Sequence, residues 1–246
     1  MKTKKIVTAG PLVIEAIYPR GAAQDSPRVR AGKRKLSSEA QRRLNARHSY
    51  QKLELLLAAN FVPGDWIVTF TFDDEHRPET RAQAAARLKE FRRRLAARRS
   101  RRGAELRMVW ATENVFEHGR WHHHAVLNNA GEDFDELRAL WTWGRDVEIR
   151  VLRIDRDHSF EAIARYLCKE ARDRPGLRSW SYTRSCRKPE VESFAVPDDT
   201  PLQPPKGATV YEDQRHANEF GSWRVVKYLA PNWRKAVRRP RRKRRR

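Results

Sequence analysis

The stretch ELRMVWATENVFEHGRWHHHAVLN, residues 105–128, contains two short segments that alternate apolar with polar or aromatic side chains. The first covers residues 105–113 and the second covers residues 121–128, with a polar, glycine-containing link between them. Such segments predict two β-strands, and the short link predicts that they pair as a hairpin. An antiparallel sheet is therefore the expected centre of the fold.

The flanking sequence extends this pattern to an α+β fold. Alternation predicts three further strands, and apolar residues at helical spacing predict three flanking helices. The strands are expected at 65–72, 146–154 and 177–186, and the helices at 77–99, 133–144 and 159–173. Strands and helices mixed in this order favour an antiparallel sheet with helices on one face.

The composition divides the chain into four predicted segments. A basic N-terminal arm carries one short strand, LVIEAIY at 12–18, and Ser38 and Gln41 form a capping box that begins a helix. A tail of like charges repels itself and is expected to be disordered. The segments are the basic arm and helix (1–59), the α+β domain (60–195), a proline-rich connector with an edge strand at 221–229 (196–233), and the disordered basic tail (234–246).

The charge of the chain points to a polyanionic partner. The sequence has 53 lysine and arginine residues against 31 aspartate and glutamate residues, a net charge of +22. It has no apolar run as long as a membrane span and no signal-peptide core, which favours nucleic acid over a membrane as the partner. The two cysteines, Cys168 and Cys186, fit a reducing, cytoplasmic compartment.

The three consecutive histidines include a candidate pair of metal ligands. Alternation along a strand places His122 and His124 on one face and His123 on the other. A hairpin with the preceding strand brings Glu113 beside them. Two imidazoles and a carboxylate suit Mg²⁺ or Mn²⁺ with open positions, although imidazoles also accept Zn²⁺. The alternative is that the pair is incidental and that Glu113 is a solvated acid at a strand end.

A later helix carries Tyr166 and Lys169, which share one helical face because they are three residues apart. Alone, this spacing is as typical of a half-buried phenol beside a solvated ammonium. Its value lies in the order of the motifs: a strand, a glutamate, His-x-His and then Tyr-x-x-Lys, all in a strongly basic chain.

The order FTF (70–72), GRWHHHAVL (119–127) and YLCK (166–169) resembles the three motifs of the HUH endonucleases, and most closely the single-tyrosine rolling-circle replication initiators of phages and mobile elements. The resemblance covers about Asn60 to Pro189. It implies a five-stranded antiparallel sheet of RRM-like topology in an HUH endonuclease domain at 60–195. The middle residue of the metal motif is usually bulky and apolar in that family, whereas this chain has His123.

The resemblance also implies a chemistry. A divalent metal, Mg²⁺ or Mn²⁺, would be held by Glu113, His122 and His124. Tyr166 would attack a phosphodiester of single-stranded DNA and form a 5′-phosphotyrosine, and Lys169 would stabilise the phenolate or the phosphate. Basic and aromatic residues suited to phosphates and bases are the expected DNA contacts. These are Arg120, Trp180, Tyr182, Arg184, Arg187, Arg238, Arg239, Arg241 and Arg242.

The expected partner is a single-stranded DNA origin. The sequence has no phosphate-binding loop of the G-x-x-x-x-G-K-[ST] type, so a host helicase is expected to open the duplex. No small-molecule cofactor is predicted. Two alternatives stay open: an HUH transposase or relaxase, which needs the same residues, and a non-catalytic module that binds single-stranded nucleic acid and in which the histidines are incidental.

Overall fold

The computed structural model describes residues 1–20, 39–114, 119–131, 134–153, 160–169, 180–218 and 221–233. The chain forms two compact units, which we call the central unit (Glu39–Arg187) and the terminal unit (Met1–Ser38 with Lys188–Arg246). These units divide at positions other than the predicted 59/60 and 195/196, because strands from both ends of the chain pair with one another. The predicted four-segment division stays a prediction.

The described secondary structure comprises ten strands and four helices. In chain order they are β1 (Lys2–Ala9), β2 (Leu12–Pro19), α1 (Glu39–Asn60), β3 (Trp66–Thr71), α2 (Arg81–Ser100), β4 (Met108–Glu113), β5 (His122–Leu127), α3 (Phe134–Leu140), β6 (Val147–Val151), α4 (Glu161–Leu167), β7 (Ser181–Tyr182), β8 (Glu190–Val196), β9 (Thr209–Asn218) and β10 (Gly221–Leu229).

The central unit contains an antiparallel sheet of order β6-β3-β5-β4-β7. Its alternating strands bury one face against α2 and α3, where Phe70 packs against Phe91 of α2 and against Trp141, just after α3. The predicted hairpin of residues 105–128 is confirmed as β4 paired with β5. The predicted fifth strand at 177–186 is described only at Ser181–Tyr182, and residues 170–179 lie outside the described residues.

Helices lie on both faces of this sheet, so the expectation of helices on one face was wrong. Helices α2 and α3 cover the face to which His123 points. Helix α4 lies over the opposite face, where Tyr166 contacts His124, and α1 packs against α4. Helical spacing marks a buried stripe but does not say which face of a sheet receives it.

The terminal unit has a second antiparallel sheet, of order β8-β1-β2-β10-β9. Its core contains Val13, Ile17, Leu202, Val226 and Tyr228. The prediction of a single sheet was therefore incomplete: the arm contributes the hairpin β1–β2, and β10, predicted as an edge strand, lies between β2 and β9. The missed strand β1 is rich in lysine, which conceals its alternation. The α+β class is confirmed, whereas RRM-like topology stays a prediction.

Two predictions fall on parts of the chain that the structure leaves undescribed. Ser38 of the capping box lies outside the described residues, although α1 begins at the next residue, Glu39. The basic tail at 234–246 also lies outside them. No helix in the described ranges is long and apolar enough to cross a membrane.

The segment after α3 is held tightly against the end of β3. Trp141 donates its indole N–H to the carbonyl oxygen of Thr71 at 2.7 Å, and the Asp73 amide donates to the Trp143 carbonyl at 3.1 Å. A Cβ at Gly144 would overlap the carbonyl oxygen of Thr71. Only glycine therefore fits at this position without moving the backbone of β3.

We expect Gly144→Ala to lower the free energy of unfolding by about 1–3 kcal/mol, because the clashing atom is backbone and cannot rotate away. Denaturant unfolding of both proteins measures the change. The exposed neighbour Arg145 provides a control, since Arg145→Ala should change the stability by less than about 0.5 kcal/mol. Equal stability of Gly144→Ala and the parent would contradict this packing.

Candidate active site

Strand pairing brings an acid and two imidazoles to one face of the central sheet. Glu113, the last residue of β4, lies directly opposite His122 on β5, and Ala111 lies opposite His124. Alternation then points the side chains of Glu113, His122 and His124 to the same side. One possible ligand atom from each lies within 4.8 Å of the others.

The spacing of these three side chains fits one cation. Oε2 of Glu113 lies 3.7 Å from Nε2 of His122 and 3.7 Å from Nε2 of His124, too far for good hydrogen bonds. Two atoms that each lie about 2.1 Å from one ion are separated by about 3 to 4.2 Å. Oε1 of Glu113 is buried and has no hydrogen-bond partner among the described residues, which leaves a carboxylate oxygen available to a metal.

Neighbouring oxygen atoms orient both imidazoles. Nδ1 of His122 lies 3.3 Å from the carbonyl oxygen of Arg120, to which only an N–H can donate, so Nε2 is left as the ligand atom. Nδ1 of His124 lies 3.2 Å from the Thr69 hydroxyl, and Thr69 is the residue opposite His124 on β3. Such outer contacts fix the tautomer and the ring orientation of metal-binding histidines.

The charges in this cluster are coupled. Burial alone would raise the pKa of the Glu113 carboxyl, but His122 and the Lys169 ammonium outweigh it and hold that pKa below its ordinary value. The carboxylate in turn raises the pKa of His122. Burial lowers the pKa of His124 to about 4, so this imidazole is neutral at pH 7 and has a free lone pair.

Helix α4 brings a phenol and an ammonium to the same cluster. The Tyr166 hydroxyl lies 3.0 Å from Nε2 of His124, and their rings are 4.8 Å apart. The Tyr166 side chain nevertheless stays open to solvent, with 44% of the residue exposed. Lys169 lies 3.1 Å from Oε2 of Glu113 and 4.3 Å from the centre of the Tyr166 ring. Burial would lower the pKa of Lys169, but Glu113 raises it, so the ammonium is charged at pH 7.

His123 points into the core, as alternation predicted. Its ring is fully buried, and burial lowers its pKa to about 3. Its Nε2 lies 3.1 Å from the carbonyl oxygen of Ala84 on α2, so Nε2–H donates there and Nδ1 accepts from the Thr112 hydroxyl at 2.9 Å. His123 is thus a satisfied core residue that ties β5 to α2.

We expect His123→Leu to lower the free energy of unfolding by about 1–3 kcal/mol, because it leaves the buried Thr112 hydroxyl without its partner. Adding Thr112→Val removes that hydroxyl and should restore part of the loss, which a double-mutant cycle of unfolding measurements would detect. A double variant that loses the full sum of the two single effects would contradict the pairing.

The predicted DNA contacts occupy different environments. Arg120 forms an ion pair with Asp74 at 2.7 Å. Trp180 and Tyr182 lie 5.9 Å apart at the β7 edge of the sheet, and Trp180 donates to Ser49. The other predicted contacts are Arg184 and Arg187, which are exposed, and Arg238, Arg239, Arg241 and Arg242, which lie outside the described residues.

Sequence reasoning missed the residues that orient the cluster. Thr69 and Thr112 have ordinary strand positions, and only the register of β3 and β4 with β5 shows that they face His124 and His123. Asp74 gave no signal either, because its partner Arg120 is distant in sequence. Register depends on the whole sheet and cannot be derived from one strand.

Comparison with known proteins agrees with the resemblance drawn from the motifs. Residues 65–173 match the model of the family described as Replication-associated protein ORF2, which is consistent with a rolling-circle replication initiator. The match contains β3 to α4 and every residue of the cluster described above. A search of curated proteins and a search of solved structures returned no match.

Proposed function

We propose that this chain, as a member of that family of replication-associated proteins, is an endonuclease that nicks single-stranded DNA at a replication origin and later rejoins the strand. The observation that carries the proposal is the 3.0 Å separation between the Tyr166 hydroxyl and Nε2 of His124. A nucleophile and a candidate metal ligand therefore share one pocket, which a binding module without chemistry would not require.

The proposed reaction exchanges one phosphate ester for another. The Tyr166 oxygen attacks phosphorus, the bond to the 3′ oxygen breaks, and that oxygen takes up a proton and leaves as a 3′-hydroxyl. The DNA stays attached to the protein as a 5′-phosphotyrosine. Because the number of ester bonds does not change, the step is nearly isoenergetic, and attack by a 3′-hydroxyl reverses it. This reversibility suits an enzyme that nicks, holds and rejoins a strand.

Glu113, His122 and His124 would hold the divalent metal, for which Mg²⁺ or Mn²⁺ fits a set of two imidazoles and one carboxylate with open positions. When bound, the metal supplies charge that polarises the phosphate and offsets the negative charge that develops on it. Thr69 and the Arg120 carbonyl keep the two imidazoles oriented for this role. Glu113 also holds Lys169 beside the pocket.

Lys169 addresses the weak nucleophilicity of a phenol. A free tyrosine is only about 0.1% ionised at pH 7, which withholds about 4 kcal/mol of driving force. The Lys169 ammonium lies 4.3 Å from the centre of the Tyr166 ring, where it favours the phenolate and, after attack, the phosphate. We assign Lys169 to charge stabilisation and not to metal binding, because an ammonium has no lone pair.

The substrate is expected to arrive as a single strand. A host helicase or a strand that is already unpaired would supply it, and Trp180 and Tyr182 offer aromatic surface for unstacked bases. Arg184 and Arg187, which are exposed and follow Tyr182 in the sequence, can contact the phosphates of the same strand. The family of replication-associated proteins favours replication over transposition or conjugative transfer.

A labelled single-stranded DNA that contains an origin tests the proposal. The full chain is incubated with this DNA and Mn²⁺, and the products are separated on a denaturing gel. We expect a covalent protein–DNA band that disappears when a chelator is present. Binding without any adduct, on strands that span the candidate origin, would favour the non-catalytic module.

We expect removal of residues 238–246 to weaken DNA binding and flatten its salt dependence while leaving the nicking chemistry intact. The segment has eight basic residues in nine and can neutralise phosphates without reading their sequence. Each lost contact with a single strand should reduce the slope of log K against log salt by about 0.7. Binding titrations at several salt concentrations measure this slope, and an unchanged slope would contradict the role of the tail.

A further inference from the structure

A second basic surface lies on the other side of the central sheet. A groove of about 1110 Å³ runs between α2 and residues 182–185, with residues 103–106 at one end. Helix α2 packs on the face opposite to His122 and His124, so this groove is separate from the candidate active site. Nothing in the family match assigns it a role, and only part of its lining was predicted from the sequence.

The groove favours a negatively charged ligand. Its lining contains four basic residues against two acidic ones, and one of the acids, Glu90, is already bound by Arg93 and Arg94. Lys89 and Arg184 are exposed on opposite walls, and neither forms an ion pair with any residue that the structure describes. Two unneutralised cations that face one hollow create a site for phosphate groups.

Both walls are already in place without a ligand. The Arg92 guanidinium lies 4.0 Å from the centre of the Trp110 ring, which attaches α2 to β4. On the other wall, the Thr183 amide donates to the Met108 carbonyl at 2.9 Å, and Ser185 donates to the Thr183 hydroxyl at 2.9 Å. A preformed groove binds without the entropic cost of ordering its walls.

The groove adjoins the edge of the sheet that faces the active site. Tyr182 lines the groove and also ends β7, where it lies opposite Val109. Val109 is on the same face as Glu113, because four residues separate them along β4. A DNA strand held at the metal cluster can therefore pass Tyr182 and turn around the edge of the sheet into the groove.

We propose that this groove binds the phosphate backbone of single-stranded DNA that flanks the cleaved bond, with Lys89 and Arg184 as the phosphate contacts. The inference rests on the proposed function, since it extends the path of the same strand. It predicts that long and short strands bind differently, because only a long strand reaches both the active site and the groove.

Fluorescence anisotropy of the full chain with labelled single-stranded DNA tests the groove. One probe has about 24 nucleotides and the other about 6, too few to reach both sites. For Lys89→Ala/Arg184→Ala we expect about tenfold weaker binding of the long probe and a salt slope shallower by about 1.4, since two phosphate contacts are lost. Binding of the short probe should not change.

A matched double variant controls for charge alone. Arg42→Ala/Lys206→Ala also removes one exposed arginine and one exposed lysine, and it should leave the difference between the two probes unchanged. An unchanged affinity of the groove variant for the long probe, or an equal loss for both probes, would overturn the proposal. If the parent forms no adduct with any strand, the proposed function fails, yet the length dependence of binding still decides whether the groove holds DNA.

Discussion

Tyr166→Phe is expected to abolish the covalent protein–DNA adduct, with a loss of at least about 10⁴-fold in the rate of its formation. The change removes only the hydroxyl oxygen, which lies 3.0 Å from Nε2 of His124, and retains the ring that packs beside that imidazole. Affinity for single-stranded DNA should stay within about twofold, because an exposed hydroxyl contributes little to binding. Denaturing gels measure the adduct, and anisotropy measures the affinity.

A second tyrosine provides a matched control. Tyr50 lies on α1, where its ring and hydroxyl contact Arg165 of α4, the neighbour of Tyr166. Tyr50→Phe removes the same atom close to the same helix and should form the adduct at the parental rate. An adduct that persists in Tyr166→Phe, or one that is lost only in Tyr50→Phe, would contradict the assignment of the nucleophile.

His124→Ala is the second change with a large expected effect. We expect the affinity for Mn²⁺ to fall by more than about 100-fold and nicking by at least about a thousandfold, because one of three candidate ligands is lost. Binding to single-stranded DNA should remain nearly parental, since the basic surface does not change. Calorimetric titration with Mn²⁺ separates the loss of metal binding from the loss of the contact with Tyr166.

His216 offers a matched control for this variant. It belongs to the terminal unit and its ring lies against Trp223, outside the cluster of Glu113, His122 and His124. His216→Ala should bind Mn²⁺ and nick DNA as the parent does. Parental Mn²⁺ affinity and parental nicking in His124→Ala would show that the metal centre is placed wrongly.

The metal cluster could be predicted from the sequence because it depends on short-range geometry. Alternation alone places His122 and His124 on one face, and a hairpin with a short link brings Glu113 to them. The position of Tyr166 could not be derived in this way. It depends on which face of the sheet α4 covers, and that is decided by packing with α1 and by residues distant in sequence.

The terminal sheet shows the same limit at a larger scale. Strand β8 pairs with β1 although the whole central unit separates them in sequence, and neither strand has a strong apolar alternation. Pairing over such a distance leaves no local signal in either strand. His123 was a different case: its direction could be predicted, but its pairing with Thr112 required the register of the sheet.

The central claim is that the oxygen of Tyr166 attacks a phosphodiester bound beside Glu113, His122 and His124. Mass spectrometry of protease-digested adduct, formed with Mn²⁺ on single-stranded origin DNA, tests it most directly. The account predicts a nucleotide joined through its 5′-phosphate to the peptide that contains Tyr166, and no such peptide when metal is withheld. A 5′-phosphate attached to another residue, or DNA cut with a free 5′-phosphate and no protein attached, would contradict it.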